Sequence, residues 1–190
     1  KDKKSSSNKE LQKLIDKIIK TPKSERSFTG PKFETDLEAY SVMSFNTGKV
    51  LASKNADFAR PLASLTKVMT AHRIYKDNYN PNEIVSYDPK QHKSTYHRYK
   101  ISKGEAVKNR DLMSAFLISS LNTPGNMLLH NKENDEVVQN MNQEVQGWGL
   151  KKTEFKGVTG EKVATKSTAN EYANIFKKIL PLVFLIIMGN

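Results

Sequence analysis

Arg60-Pro61-Leu62-Ala63-Ser64-Leu65-Thr66-Lys67-Val68-Met69-Thr70-Ala71 is the stretch whose reading decides the fold. It sets a serine three residues before a lysine, after a proline-containing loop and at the start of an apolar helix expected over Ser64 to Tyr75. A helix brings positions i and i+3 onto one face, so Ser64 Oγ and Lys67 Nζ come within reach of each other. A serine hydroxyl is a poor nucleophile until a neighbouring base takes its proton. A lysine desolvated at an apolar site has a lowered pKa and can be that base. The helix start adds free N–H groups and a partial positive charge, both suited to an oxyanion. Ser64 and Lys67 are therefore the candidate nucleophile and base. The spacing alone does not decide this. Ser6 and Lys9 repeat it in a polar tail, and Ser-x-Asn occurs at Ser44 and Ser53 as well as at Ser120. Taken singly, Ser64 reads as well as an N-cap, Lys67 as a solvated helix lysine, and Ser120 and Asn122 as turn residues after a helix.

Upstream of this stretch, Leu37 to Ser44 and Lys49 to Lys54 read as two short strands, and Asn46-Thr47-Gly48 between them is a turn signal for a β-hairpin. Downstream, residues 77 to 104 are polar and read as loops and short surface strands. Leu112 to Ile118 is a second apolar helix, which Ser119 to Gly125 should break. Asn126 to His130 begins another helix, Val137 to Trp148 is helical, and Thr168 to Leu180 is a last helix with Ser167 or Thr168 as its N-cap. The apolar run Ile179 to Met188 contains Pro181 and is shorter than the ~20 residues a bilayer span needs. We expect it to be a buried strand or a cut-off element.

Residues 1–8 form a basic, polar tail expected to be disordered. Within residues 9–36, Leu11, Leu14, Ile15, Ile18 and Ile19 recur at helical spacing with lysines opposite, and a linker with Pro22 and Pro31 follows. We expect that helix to pack on the domain that occupies residues 37–190; a basic amphipathic helix lying on a membrane surface is the alternative. The 190-residue chain carries a formal charge of +11 and no cysteine. The missing cysteines exclude a disulfide framework, a zinc–thiolate site and a catalytic thiol. The charge favours anionic surroundings, but no zinc-finger spacing, RNA-recognition motif or basic recognition helix is present, so nucleic acid is not an expected partner. The four histidines, His72, His92, His97 and His130, lack metal-ligand spacing and read as surface or packing residues. No metal and no cofactor is called for. The N-terminus shows no signal peptide, and its first residue is not Met, so a processed or trimmed start is the expectation.

Residues 39–71 closely resemble the serine D-alanyl-D-alanine carboxypeptidases, the low-molecular-mass penicillin-binding proteins related to class A β-lactamases. The resemblance continues, in the family's order, through Arg110-Asp111-Leu112-Met113, Leu117-Ile118-Ser119-Ser120-Leu121-Asn122, Met141-Asn142, Trp148 to Phe155 and Ser167-Thr168-Ala169. It implies an α/β (α+β) fold in which a helical cluster packs on an antiparallel sheet. It implies that Ser64 is acylated, that Lys67 takes its proton, and that Ser120 relays a proton to the leaving amine. Asn122 would hold Lys67 or the substrate amide, and the Ser64 N–H would be one of two oxyanion donors. The implied reaction removes the terminal D-Ala from peptidoglycan stem peptides outside the cytoplasmic membrane, in the periplasm or beyond it, with β-lactams as covalent inhibitors.

The family's third motif, Lys-Thr-Gly on a strand after the Ser-Thr-Ala helix, does not occur in this sequence. Lys156-Gly157-Val158-Thr159-Gly160 is not a substitute, since it falls where the family has a loop ending in His-Gly, with Thr159 in place of the histidine. The missing strand would supply the second oxyanion N–H, worth about 100- to 1000-fold in rate, and would support the Leu37–Lys54 hairpin, because two strands alone are marginal. We expect a chain truncated relative to a working enzyme, in preference to a divergent, non-catalytic module that binds wall peptide or a partner. The Glu-x-x-Leu-Asn loop of the β-lactamase branch is also absent, which favours peptidase over β-lactamase.

Overall fold

The turn signal at Asn46-Thr47-Gly48 is used as expected. A computed structural model describes residues 35–94, 99–162 and 164–188, and its first elements are strands β1 (Tyr40–Met43) and β2 (Val50–Lys54). They pair antiparallel, Tyr40 opposite Lys54 and Val42 opposite Ala52, with an irregularity between Val42 and Met43. Gly48 closes the turn at φ +72°, and its N–H donates to Ser44 O at 2.8 Å. Both strands are shorter than the apolar pattern suggests. The basic tail at 1–8, the amphipathic helix and the linker up to Lys32 lie outside the described residues.

Strand β3 (Arg60–Pro61) leads into a 3₁₀ turn, Ala63–Leu65, and helix α1, Thr66–Lys76. Strand β4 (Ile84–Ser86) and the short α2 (Pro89–His92) come next, then β5 (Ala106–Lys108), α3 (Asn109–Leu117), α4 (Asn122–Leu128) and α5 (Asn134–Gly147). Strand β6 (Lys166–Ser167) and α6 (Ala169–Met188) complete the described order. The antiparallel sheet is realised as three two-stranded ribbons, β1–β2, β3–β6 and β4–β5.

Helix α1 is the centre of the core. It packs against α3, α5 and α6, and its Met69, Ala71 and Ile74 are buried with Leu112, Phe116, Met127, Met141, Val145, Ile175 and Ile179. In α3, α5 and α6 the pairs Leu112/Phe116, Met141/Val145 and Ile175/Ile179 are four residues apart, so each of these helices turns a stripe to the same centre. Thr168 caps α6, its Oγ1 accepting from the Glu171 N–H at 3.1 Å, as a Thr followed three residues later by Glu predicts.

Two expectations are corrected. Ser119 to Gly125 does not break the chain throughout, because α4 already starts at Asn122. Pro124 sits in its first turn, where a missing N–H costs no helical bond. The run Ile179–Met188 is not a strand: α6 continues through Pro181 to Met188. A short apolar run has no periodicity of its own that separates helix from strand, and the 3.6-residue spacing already set by Tyr172, Ile175 and Ile179 carries on. The local cost is the hydrogen bond that Pro181 cannot donate to the Lys177 carbonyl. Among the described residues no helix is long and apolar enough to cross a membrane.

Candidate active site

The β3–β6 ribbon fixes the approach to Ser64. Arg60 pairs with Ser167, Pro61 with Lys166, and the Leu62 N–H donates to Thr165 O at 3.0 Å. Ala63 then takes φ +46°, a left-handed conformation unusual for a residue with a Cβ, which starts the tight turn carrying Ser64. Tyr172 of α6 locks the turn from below, donating its hydroxyl to Leu65 O at 2.6 Å.

Lys67 lies one turn on and is 2% exposed. Its Nζ donates to Ser64 Oγ at 3.0 Å and to Thr159 O at 2.9 Å, and it stands 5.7 Å from the centroid of the Phe116 ring. Burial pushes the Lys67 ammonium pKa down, and the Glu161 carboxylate nearby pulls it partly back up; the net result is below the ordinary 10.5. Desolvation thus favours the neutral amine that a base must be.

The segment Val158–Glu161 forms the opposite lip. It is stitched to the face of α1 that carries Lys67, because Thr70 Oγ1 donates to Val158 O at 2.7 Å while Lys67 holds Thr159 O. Asn142 of α5 anchors the chain upstream, donating to Phe155 O at 2.9 Å and accepting from the Phe155 N–H at 2.8 Å. Gly160, at φ +84°, passes so close to Ala63 that a Cβ there would overlap the Ala63 carbonyl. The lip can reach the Ser64 turn only because this residue has no side chain.

Between these parts lies an open cleft of about 320 Å³ lined by Ser64, Ser120, Asn122, Thr159 and Glu161, among others. All four residues singled out in the sequence border it or reach it: Ser64 and Lys67 are joined by a hydrogen bond, and Ser120 and Asn122 line the wall across from them. Ser120 is exposed and held at φ +57°. Asn122 is 7% exposed. Its Nδ2 donates not to a partner on Lys67 but to Glu161 Oε1 at 2.7 Å, and its Oδ1 is buried with no partner. Ser94 Oγ donates to the same Glu161 oxygen at 2.8 Å. Thr159, Gly160, Glu161 and Ser94 were not among the sequence candidates. The resemblance places Thr159 and Gly160 in a loop, and no spacing in the sequence ties that loop to Ser64.

The sequence model of the D-alanyl-D-alanine carboxypeptidases, peptidase family S11, matches residues 25–184. The chain belongs to this family. Among curated relatives, a D-alanyl-D-alanine endopeptidase of Pseudomonas aeruginosa is 29% identical over 135 residues, which is 68% of this chain and 43% of the relative. The chain thus spans less than half the length of that relative. Among solved structures, the D-alanyl-D-alanine carboxypeptidase of Mycobacterium tuberculosis superposes with a TM-score of 0.73 at 24% identity, over 84% of this chain and 62% of that one. Penicillin-binding protein D2 of Listeria monocytogenes in its ampicillin-bound form gives 0.70 at 25% identity, over 82% of this chain and 66% of that one. The penicillin-binding, transpeptidase-like α/β fold expected from the S11 resemblance is therefore the observed one, with helices around small antiparallel sheets.

Proposed function

We propose that this chain carries the acylation centre of a serine D,D-peptidase that cleaves the terminal D-Ala from peptidoglycan stem peptides. The 3.0 Å contact between Lys67 Nζ and Ser64 Oγ is the observation that carries the reading. Neutral Lys67 takes the Ser64 proton as Oγ attacks the carbonyl of the D-Ala–D-Ala peptide bond. The carbonyl oxygen gains negative charge at the start of the 3₁₀ turn, with the Ser64 N–H as one donor. The tetrahedral species collapses, the C–N bond breaks, and the departing amine receives a proton through Ser120. Water then hydrolyses the acyl-Ser64 ester, and the proton returns to the serine. Asn122 contributes its side-chain amide to the peptide backbone. Nothing in the residues of the cleft calls for a metal or cofactor.

β-Lactams acylate the same serine in this reading, and the substrate's location places the protein outside the cytoplasmic membrane, where a +11 chain suits an anionic wall. Carboxypeptidase and endopeptidase action share this acylation step. The test is a labelled penicillin on the 190-residue chain. A covalent adduct mapped to Ser64, lost in Ser64→Ala, is the expected result. A correctly folded chain that takes no label overturns the catalytic reading in favour of a wall-peptide-binding module. Rapid turnover of the adduct in place of a stable one would make the chain a β-lactamase.

A further inference from the structure

Glu161 is the one charged side chain that the sequence candidates did not include and the cleft does. It is exposed, and its contacts are all to neutral donors: Oε1 accepts from Asn122 Nδ2 at 2.7 Å and Ser94 Oγ at 2.8 Å, and Oε2 accepts from Thr159 Oγ1 at 3.3 Å. The last is long for a hydroxyl on a carboxylate, where about 2.6 Å is usual, so Oε2 keeps accepting capacity. Three carboxylates elsewhere in the described residues are, by contrast, paired with several cations each. Glu144 holds His72, Arg73 and Lys76; Asp77 holds Arg73 and Lys132; Glu154 holds Lys156 and Lys166. In a chain with a formal charge of +11, Glu161 makes no ion pair with a described residue. Its charge is felt through space by Lys67.

The second observation is Asn122. One of its amide N–H groups goes to Glu161, and its Oδ1, on a side chain more than nine-tenths buried, has no partner. The cleft wall therefore offers acceptors in excess of donors: Glu161 Oε2 and Asn122 Oδ1, with the exposed Ser120 hydroxyl beside them. A ligand that matches this wall brings several N–H donors and a positive charge, and a primary ammonium brings three donors on one atom.

We propose that Glu161 is a specificity residue that makes the cleft prefer peptides carrying a free primary amine next to the scissile D-Ala–D-Ala bond, its carboxylate receiving the ammonium. The proposal rests on the peptidase reading above and names the substrate class within it. A stem peptide in which the diamino acid just before D-Ala–D-Ala keeps its side-chain amine free is the favoured class; one in which that amine is acylated, as in a cross-link, is the disfavoured class.

The experiment measures equilibrium binding to the Ser64→Ala chain, so that no turnover intervenes. The probes are Nα-acetyl-L-Lys-D-Ala-D-Ala, with its ε-amine free, and Nα,Nε-diacetyl-L-Lys-D-Ala-D-Ala, with it blocked. We expect the free amine to bind about tenfold more tightly at low salt, as a charge-assisted hydrogen bond at a partly exposed site allows, and the difference to shrink as salt screens it. Adding Glu161→Gln should bring the two affinities within about twofold of each other. Equal binding of the two peptides by the Ser64→Ala chain overturns the amine preference and leaves the peptidase reading standing; this comparison needs no second variant. A preference that survives Glu161→Gln overturns the assignment to Glu161. Equal tightening of both peptides by Glu161→Gln overturns it too, since the carboxylate would then be competing with substrate for Asn122. If neither peptide binds the Ser64→Ala chain and penicillin leaves Ser64 of the unsubstituted chain unlabelled, the peptidase reading falls together with this one.

Discussion

The cleft wall and the β1–β2 hairpin are built from the same chain by opposite means. Around Lys67 nearly every polar atom has a partner on another element: Thr159 O, Val158 O and Leu65 O accept from Lys67, Thr70 and Tyr172, while Asn142 clamps Phe155 from both sides. The hairpin, by contrast, pairs only with itself among the described residues and leaves Leu37, Val42, Val50 and Leu51 exposed. It is braced by α6 against β1. The wall carries two left-handed residues with side chains, Ala63 and Ser120, each costing of order 1 kcal/mol or more, besides Gly160, which adopts its positive φ freely. Such strain persists only where surrounding contacts over-determine it. The hairpin, with its glycine turn, is locally relaxed and globally under-supported. Geometry that serves chemistry is held by long-range bonds; geometry that serves only chain direction is held by the local turn.

The largest effect should follow from Gly160→Val. A Cβ at this position would overlap Ala63 O, and φ +84° suits no branched side chain. The lip must then separate from the Ser64 turn. We expect a loss of about 3 kcal/mol in urea unfolding and at least a ~100-fold slower penicillin acylation. Retained acylation with normal stability would show that the wall does not depend on the close approach.

Glu144→Gln comes next. This carboxylate, 12% exposed, joins α5 to α1 through His72, Arg73 and Lys76. Burial alone would raise its pKa, but the hydrogen bonds and charges of His72 and Lys76 together outweigh burial and hold it below the ordinary 4.5. A carboxylate with a depressed folded pKa contributes stability that is present above its unfolded value and is lost as pH falls through the folded one. The wild-type chain should therefore lose this contribution below about pH 4.5, and the variant should lack it already at neutral pH, by about 2 kcal/mol. Thermal unfolding from pH 7 to 3 checks this: the gap between the two proteins should close at the acid end.

The pH dependence of acylation sharpens the same comparison. Because Lys67 must be neutral to take the proton, the rate should rise with pH through its pKa, which lies below 10.5. Glu161 holds that pKa up against burial, so Glu161→Gln should move the rising limb to lower pH. A limb that stays in place, or moves up, would remove Glu161 from the electrostatics of Lys67.

What the sequence revealed follows the range of each contact. Ser64 and Lys67 sit at i and i+3, so local chain geometry brings them together, although the α-helix expected from Ser64 starts at Thr66 and Ser64 lies in the 3₁₀ turn before it. Asn46-Thr47-Gly48 is equally local and forms the expected turn, and of the two N-cap residues expected for the last helix, Ser167 or Thr168, it is Thr168 that caps. The start of α4 was misplaced because Pro124 looks like a breaker anywhere except in a first turn. The course of α6 past Pro181 was misread because an apolar run is ambiguous by itself. Thr159 lies 92 residues from Lys67, and Glu161 lies 39 from Asn122. Thr159 is marked only as the residue standing in the family's His-Gly loop, Glu161 by no periodicity or motif, and only the packing of the 158–161 lip on α1 makes them part of the site.

The smallest effect is expected at Leu51→Thr. Leu51 is 53% exposed and sits on β2 beside the irregularity in the β1–β2 register. Threonine is β-branched and suits a strand, and little buried apolar area is lost, so the stability change should stay within about 0.5 kcal/mol. The urea midpoint should barely move, the slope should be unchanged, and penicillin should label Ser64 at the wild-type rate. The result bears on the comparison because the hairpin and the wall share α6, which packs on β1 and also donates Tyr172 to the Ser64 turn. If Leu51→Thr slows acylation by tenfold without changing stability, the hairpin reaches the wall through that helix and the two regions are not independent. If stability falls by more than 1 kcal/mol, Leu51 is covered in solution by something beyond its own strand pair, and a concentration dependence of the unfolding midpoint would identify a second copy of the chain as the cover.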